Sequence, residues 1–230
     1  MNAQQIQHKV RSLADPAVAA SAARFFRKEH AQADVFLGLR AATLHRLSKE
    51  HRELPINEIE TLLRSGIHEE RMLALLILVI AFRKAKDAAR KEMYDFYLVN
   101  TKHVNNWDLV DASAPSLIGA YLIDKSRKPL YRLARSTNLW ERRIAIVATQ
   151  HFIRNDDFAD TFKIAEMLLD DDADLIHKAT GWMLREVGER DRSPLEFFLK
   201  QHCRKMPRTM LRYALEKFAK EDREAYRKGT

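Results

Sequence analysis

Arg142-Arg143-Ile144-Ala145 decides the fold, because its outline returns along the chain. A basic residue one to three positions before a small alanine recurs at Arg71…Ala74, Lys178-Ala179 and Arg212-Tyr213-Ala214. The alanines at 74, 145, 179 and 214 are 71, 34 and 35 residues apart. The first gap is about two periods, so a missing copy falls near position 109, where Asn106-Trp107-Asp108-Leu109-Val110-Asp111 stands. A period near 35 with two helices per unit is the pattern of an α-solenoid, in which each helix pair buries its apolar face against its neighbours. An irregular helical bundle is the alternative. A solenoid curves, and its concave wall suits a polymer better than a small ligand.

Composition agrees. The 230 residues include six glycines and six prolines, with 46% apolar and 31% charged side chains. That is too little glycine for the turns of β-sandwiches or βαβ folds, and too much apolar content for disorder. The prolines at 16, 55, 115, 129, 194 and 207 each precede a helical pattern, which suits the first helical position. Between them the chain reads as about thirteen helices of roughly 8–17 residues forming a single domain over 1–230, with only 223–230 loosely held. No Gly-x-Gly occurs, which removes the dinucleotide fingerprint, the P-loop, the nucleophile elbow and a glycine-bearing hairpin for gripping phosphate. Cys203 stands alone, so neither an internal disulfide nor a CxxC site exists. His68-Glu69-Glu70 lacks the spacing of a zincin, so no metal is expected. The N-terminus has no signal-peptide core, and the longest apolar run, Met72–Phe82, has 11 residues. That run is too short for a bilayer and reads as a buried helix. A soluble, cytoplasmic protein without a membrane partner is expected.

The formal net charge is +8, which points to an acidic partner. Residues 125–154 carry eight bases and one acid, Glu141. Spread over two helices, such a block can form a stripe that neutralises phosphates, lining a concave basic groove. Residues 155–175 reverse the sign, with eight acids and Lys163. Leu175 and Gly181 stand where a calcium loop needs Gly and Glu, so the acids read as a solvated loop and helix start.

Each tryptophan has a charged residue on its own helical face: Trp107 with Asp111, Trp140 with Arg143, and Trp182 with Arg185 and Glu186. An indole beside a charge suits a groove, where the ring packs on a sugar and the charge meets a phosphate. Singly, each tryptophan reads better as core; the three together, at repeat spacing beside the basic block, shift Trp107 and Trp182 towards a ligand surface, while Trp140, at a helix start, is read as structural. Asp111 is the suggestive acid, since it lies among Leu109, Val110 and Ala112, where burial needs a cationic partner. It can equally cap the turn before Pro115.

Asn105-Asn106-Trp107-Asp108-Leu109-Val110-Asp111, Leu139–Ala145 and Lys178–Gly188 together resemble the AlkD family of bacterial DNA alkylation repair glycosylases, over roughly residues 20–220. The resemblance implies a right-handed superhelix of HEAT-like repeats. It also implies hydrolytic release of N3- and N7-alkylated purines from double-stranded DNA by a monomer that is nucleoid-associated when on DNA. The family uses no cofactor and has no lyase activity. By similarity Asp111 is the catalytic carboxylate, Trp107 and Trp182 pack on the lesion-strand backbone, and Arg143 contacts a phosphate with Arg185 assisting. The family engages the backbone without enclosing the base, and the sequence shows no base pocket. One carboxylate suffices, because a cationic purine leaves neutral and needs no general acid, unlike the leaving group of an ordinary glycoside. A helical-repeat module that binds nucleic acid without cutting it is the competing reading, since such folds host many functions. A protein-interaction scaffold is the third.

Overall fold

Five of the six prolines sit at the start of a helix. In the computed structural model, which describes residues 2–27 and 34–228, Pro16 opens a helix, and Pro55 and Pro207 each stand immediately before one. Pro129 and Pro194 occupy second and third helical positions. Pro115 is the exception: no new α-helix begins there. A π-helical segment, Pro115–Gly119, follows the preceding helix directly. Proline has no N–H for the carbonyl four residues back, and here that carbonyl belongs to Asp111.

The chain divides into two compact units, 1–117 and 118–230. The first holds α1 (Ala3–Ser12), α2 (Pro16–Arg27), α3 (Ala41–Glu50), α4 (Ile56–Leu63), α5 (His68–Lys84), α6 (Asp87–Val99) and α7 (Trp107–Ala114). α5 is its axis and packs against α1, α3, α4, α6 and α7. As its apolar run predicts, it is buried nearly all round, with Leu73, Leu75, Ile77 and Leu78 fully enclosed. α1 is not a loose leader: Ile6 and Val10 are fully buried, and Arg11 and Gln7 both reach Glu70, at 2.8 and 2.9 Å.

The second unit holds α8 (Ala120–Leu122), α9 (Lys128–Ala134), α10 (Leu139–Ala148), α11 (Gln150–Ile153), α12 (Ala159–Met167), α13 (Asp174–Arg190), α14 (Arg192–His202), α15 (Arg208–Ala214) and α16 (Lys220–Lys228). The described residues thus form sixteen α-helices of 3–17 residues, more than the sequence suggests. Pieces such as α11, parted from α10 by Thr149 alone, share one apolar pattern with their neighbour. The segment 223–230, expected to be loose, is helical through Lys228, with Arg192 paired to Asp222 at 2.7 Å and Tyr226 edge-on to Phe218. Residues 229–230 lie outside the described residues. No helix among the described residues is long and apolar enough to cross a membrane.

The repeat positions are structural. Ala74, Ala145, Ala179 and Ala214 are all at most 1% exposed. α10 packs on α13, and α13 on α15. Arg71 and Arg142 each donate to the carbonyl six residues earlier, Ser65 and Ser136, both at 3.0 Å, and the His177 ring meets the Asp171 carbonyl in the same register. Gly181 sets how closely α13 and α15 approach, since a Cβ there meets the Met210 carbonyl oxygen at 2.4 Å. A backbone atom cannot yield as a flexible side chain does. Gly181→Ala should therefore lower the urea midpoint, with a loss of about 1–3 kcal/mol at unchanged m-value. An unchanged midpoint would show that the helices are not locked at this contact.

Candidate active site

α7 is one of the shorter helices, and every face of it is assigned. Asn106, 3% exposed, caps its start by accepting from the Trp107 N–H at 2.8 Å. Leu109 and Val110 are fully buried, as their apolar character requires. Ser113 donates to the Leu109 carbonyl at 2.6 Å and accepts from the buried Tyr97 hydroxyl at 3.0 Å. Burial pushes the Tyr97 phenol well above its ordinary range, and the nearby negative charge of Asp111 adds to this, so the hydroxyl keeps its proton. What remains for Trp107, Asp108 and Asp111 is the half-buried side of the helix.

That side forms part of a cavity of about 610 Å³, lying wholly within the first unit. Trp107 and Asp111 line it together with Phe26, Phe36, Leu44 and Met72. No such cavity is visible in the sequence. Its walls come from α2, α3, α5, α7 and the segment before α3, and their apolar residues sit at spacings that read as ordinary core. Phe26 stacks on Trp107 at 5.4 Å between ring centres and on Phe36 at 5.0 Å. Trp107 thus belongs to an aromatic cluster as well as to the cavity surface.

Beside this wall lies a charge cluster that the sequence did not reveal. His68, 4% exposed, sits at the start of α5. Its Nδ1 lies 3.1 Å from Asp34 Oδ2 and its Nε2 2.8 Å from Asp108 Oδ2. Arg71 pairs with Asp34 at 2.7 Å, and Asn106 donates to the same carboxylate at 3.3 Å. Burial alone opposes protonation of His68, but the hydrogen bonds and charges of Asp108 and Asp34 outweigh it and push the imidazole up to about 9. Burial also opposes ionisation of Asp34, yet His68, Arg71 and Asn106 hold it below the usual aspartate value. Both ring nitrogens therefore donate, and His68 is an imidazolium at neutral pH. Glu69 and Glu70 are equally engaged. Glu69 accepts the backbone N–H groups of Leu37, Gly38 and Leu39, with Gly38 closest at 2.7 Å. Gly38 has φ +84°, and a Cβ there meets the Asp15 carbonyl at 2.2 Å, so only glycine fits this cradle. Glu70 is held by Arg11. The His-Glu-Glu run is a set of buried anchors. Three consecutive charges opening an apolar helix were the available signal, since each must find a partner when buried.

The remaining sequence-predicted residues lie in the second unit. Trp182 is half-buried, and its indole N–H donates to Glu186 at 2.9 Å. Arg185 pairs with Glu216 and with Glu186, the latter at 3.6 Å. Arg143 is 4% exposed and donates to the Leu175 carbonyl at 2.7 Å, tying α10 to the first turn of α13. Trp140, read as structural, is 8% exposed. The basic and acidic blocks meet: Arg142 pairs with Asp171 at 2.6 Å, and Arg127 with Asp157 at 3.3 Å. Several of the acids are thus partners of the bases rather than a merely solvated surface. Lys128, Arg132, Arg135 and Arg154 are exposed.

Among the described residues both units are built of helices, and the first unit holds a carboxylate, Asp111, on a cavity walled partly by aromatic side chains. Residues 6–218 match the family described as DNA alkylation repair enzyme, and the chain belongs to that family. Among solved structures, a predicted DNA alkylation repair enzyme from Enterococcus faecalis shares the fold, with a TM-score of 0.70 over 90% of this chain and 97% of that one, at 19% identity. No curated protein matches the chain.

The His68 cluster makes a pH prediction. Its folded pKa, about 9, exceeds the ordinary value of 6.5, so its stabilisation is complete below pH 6.5 and is lost as pH rises through 9. Asp34 has the opposite sign, contributing above its ordinary pKa of 3.8 and losing that contribution as pH falls further. The gap in melting temperature between wild type and His68→Gln should be widest near pH 5–6.5 and shrink towards pH 9. A gap that stays constant over this range would mean that the imidazolium does not hold the cluster.

Proposed function

We propose that this chain is a DNA glycosylase of the AlkD type. It hydrolyses the N-glycosidic bond of cationic N3- and N7-alkylated purines, such as 3-methyladenine and 7-methylguanine, in double-stranded DNA. It works as a monofunctional, monomeric, cytoplasmic enzyme without a cofactor, and is nucleoid-associated when on DNA. The right-handed HEAT-like superhelix and basic groove belong to this proposal, with 1–230 acting as one functional body. The carrying observation is Asp111 on the wall of a cavity, beside Trp107, in a chain that matches the DNA alkylation repair enzyme family over residues 6–218.

An N3- or N7-alkylated purine already bears a positive charge. As the bond from C1′ to the purine nitrogen breaks, its electron pair leaves with the base, which departs neutral. The sugar becomes cationic. A carboxylate about 4 Å away at an effective dielectric near 20 stabilises that charge by about 4 kcal/mol, or about a thousandfold in rate. A water oxygen then adds to C1′, and its proton passes to Asp111 and on to solvent. Trp107 and Trp182 offer apolar surface to the lesion-strand backbone, and Arg185 a phosphate contact. Arg143, bonded to Leu175, reaches a phosphate only if the start of α13 shifts.

Asp111→Asn keeps the shape and removes the charge. On a duplex with a single 7-methylguanine, base release should fall by about a thousandfold while binding is retained or tightened. Release at the wild-type rate would remove Asp111 from the chemistry, and a wild-type chain that binds but releases nothing would be a binding module. Selection by charge also predicts that uracil, a neutral base, is excised far more slowly than 7-methylguanine. Equal rates would contradict it.

A further inference from the structure

α7 is too short to hold its own carboxylate in place. Its eight residues fall below the roughly 12–15 at which a helix becomes stable by itself in water. The Asp111 carbonyl also finds no N–H at Pro115, where the helix gives way to the π segment Pro115–Gly119. Asp111 therefore stands where the helix supplies least, and its place must come from ties to other elements. Leu109 and Val110 anchor another side of α7 in the core, and Ser113 meets Tyr97 near its far end. The half-buried side that carries Asp108 and Asp111 needs a tie of its own.

We propose that His68 is a positioning residue for Asp111: bridging Asp34 and Asp108, its ring fixes the first turn of α7 and with it the carboxylate three residues on. The inference rests on the glycosylase reading for the reaction served, but not for the placement itself.

Three observations carry it. The bridge is close and enclosed: His68 is 4% exposed, and its ring nitrogens lie 3.1 Å from Asp34 and 2.8 Å from Asp108. A ring bonded on both sides cannot turn without losing a charge-assisted bond, the stronger kind. The grip is also double. Asp34 accepts from Asn106, the residue that caps α7, so one carboxylate holds the helix through its cap and, by way of His68, through its first turn. Arg71 fixes Asp34 from α5 at 2.7 Å, which makes the long buried helix the reference for both grips. Register completes the argument. Asp108 and Asp111 are neighbours on one helical face, and both border the same cavity as His68. A rotation of α7 that frees Asp108 swings Asp111 with it.

Such a swing matters because the carboxylate acts through distance. Misplacing a reacting group by about 1 Å from a remote change can cost about a hundredfold in rate.

The test compares wild type with two variants of the full chain. His68→Gln takes away the charge and the two-sided reach of the ring. Arg11→Ala breaks a different buried contact of α5, that of Glu70, which involves α1 rather than α7. In single-turnover release of 7-methylguanine from duplex DNA, His68→Gln should be slower by about tenfold or more, with duplex affinity within about twofold of wild type. Arg11→Ala, though less stable, should keep the wild-type rate within about twofold. Release by His68→Gln at the wild-type rate, a loss that lies in affinity, or an equal loss in Arg11→Ala would each overturn the proposal while leaving the glycosylase reading intact. Should His68→Gln not fold, Asp108→Asn breaks the bridge at its less buried end, a side chain 19% exposed, and replaces it throughout.

Amide hydrogen exchange tests the placement without DNA. In the same variant α7 should exchange about tenfold or more faster than in wild type, while α4, in the same unit, keeps its protection. Unchanged exchange in α7 would overturn the proposal. Faster exchange confined to α7 in a chain that releases no base would keep His68 as the residue that fixes Asp111 and reject the glycosylase.

Discussion

A buried imidazolium between two aspartates organises the first unit. His68 joins Asp34, ahead of α3, to Asp108 in the first turn of α7, from its own place at the start of α5. With Arg71 the cluster holds two positive and two negative groups, so its charges balance. Such balance is what makes burial tolerable. Removing one member of a buried pair leaves an uncompensated charge and costs about 3–5 kcal/mol, although the intact pair adds little net stability. The cluster is therefore better understood as fixing position. Asp111 lies three residues beyond Asp108 on the same helix, close to one turn, so the anchor that holds Asp108 also sets where the second carboxylate stands. The helix dipole works against a cation at the start of α5, and Asp34, Asp108 and the following Glu69 and Glu70 offset it.

In the second unit, charge is used more for structure than its amount suggests. The basic block carries +7 along the chain, but Arg127 and Arg142 face Asp157 and Asp171 from the acidic block, and Arg143 is enclosed. Arg127 also lies 3.6 Å from the centre of the Phe152 ring. What remains exposed for a polyanion is a smaller set that includes Lys128, Arg132, Arg135 and Arg154. Counting charge by sequence block overstates the field at the surface whenever oppositely charged blocks fold onto each other.

Much of the helical architecture was legible, because apolar spacing and proline position are local signals. The alanine period identified α5, α10, α13 and α15, whose alanines are all buried. Pro115 was misread because proline at a helix start and proline after a helix look alike in sequence; only the backbone shows the π segment. Asp111 and Trp107 stood out through motif and spacing. The cavity did not, since Phe26, Leu44 and Met72 are indistinguishable from core until the elements bearing them are assembled. The His68 cluster was hidden for a related reason: its members are 34 to 40 residues apart. A solitary histidine carries no sign of the two carboxylates that charge it.

The most direct test of the central claim, that a fixed carboxylate promotes departure of an already charged purine, is chromatography of the bases set free from methylated duplex DNA under excess protein. Free 3-methyladenine and 7-methylguanine should accumulate well above their spontaneous loss from the same DNA, while unmodified adenine and guanine stay bound. Base loss no faster than in buffer, with the protein saturating the duplex, would contradict it.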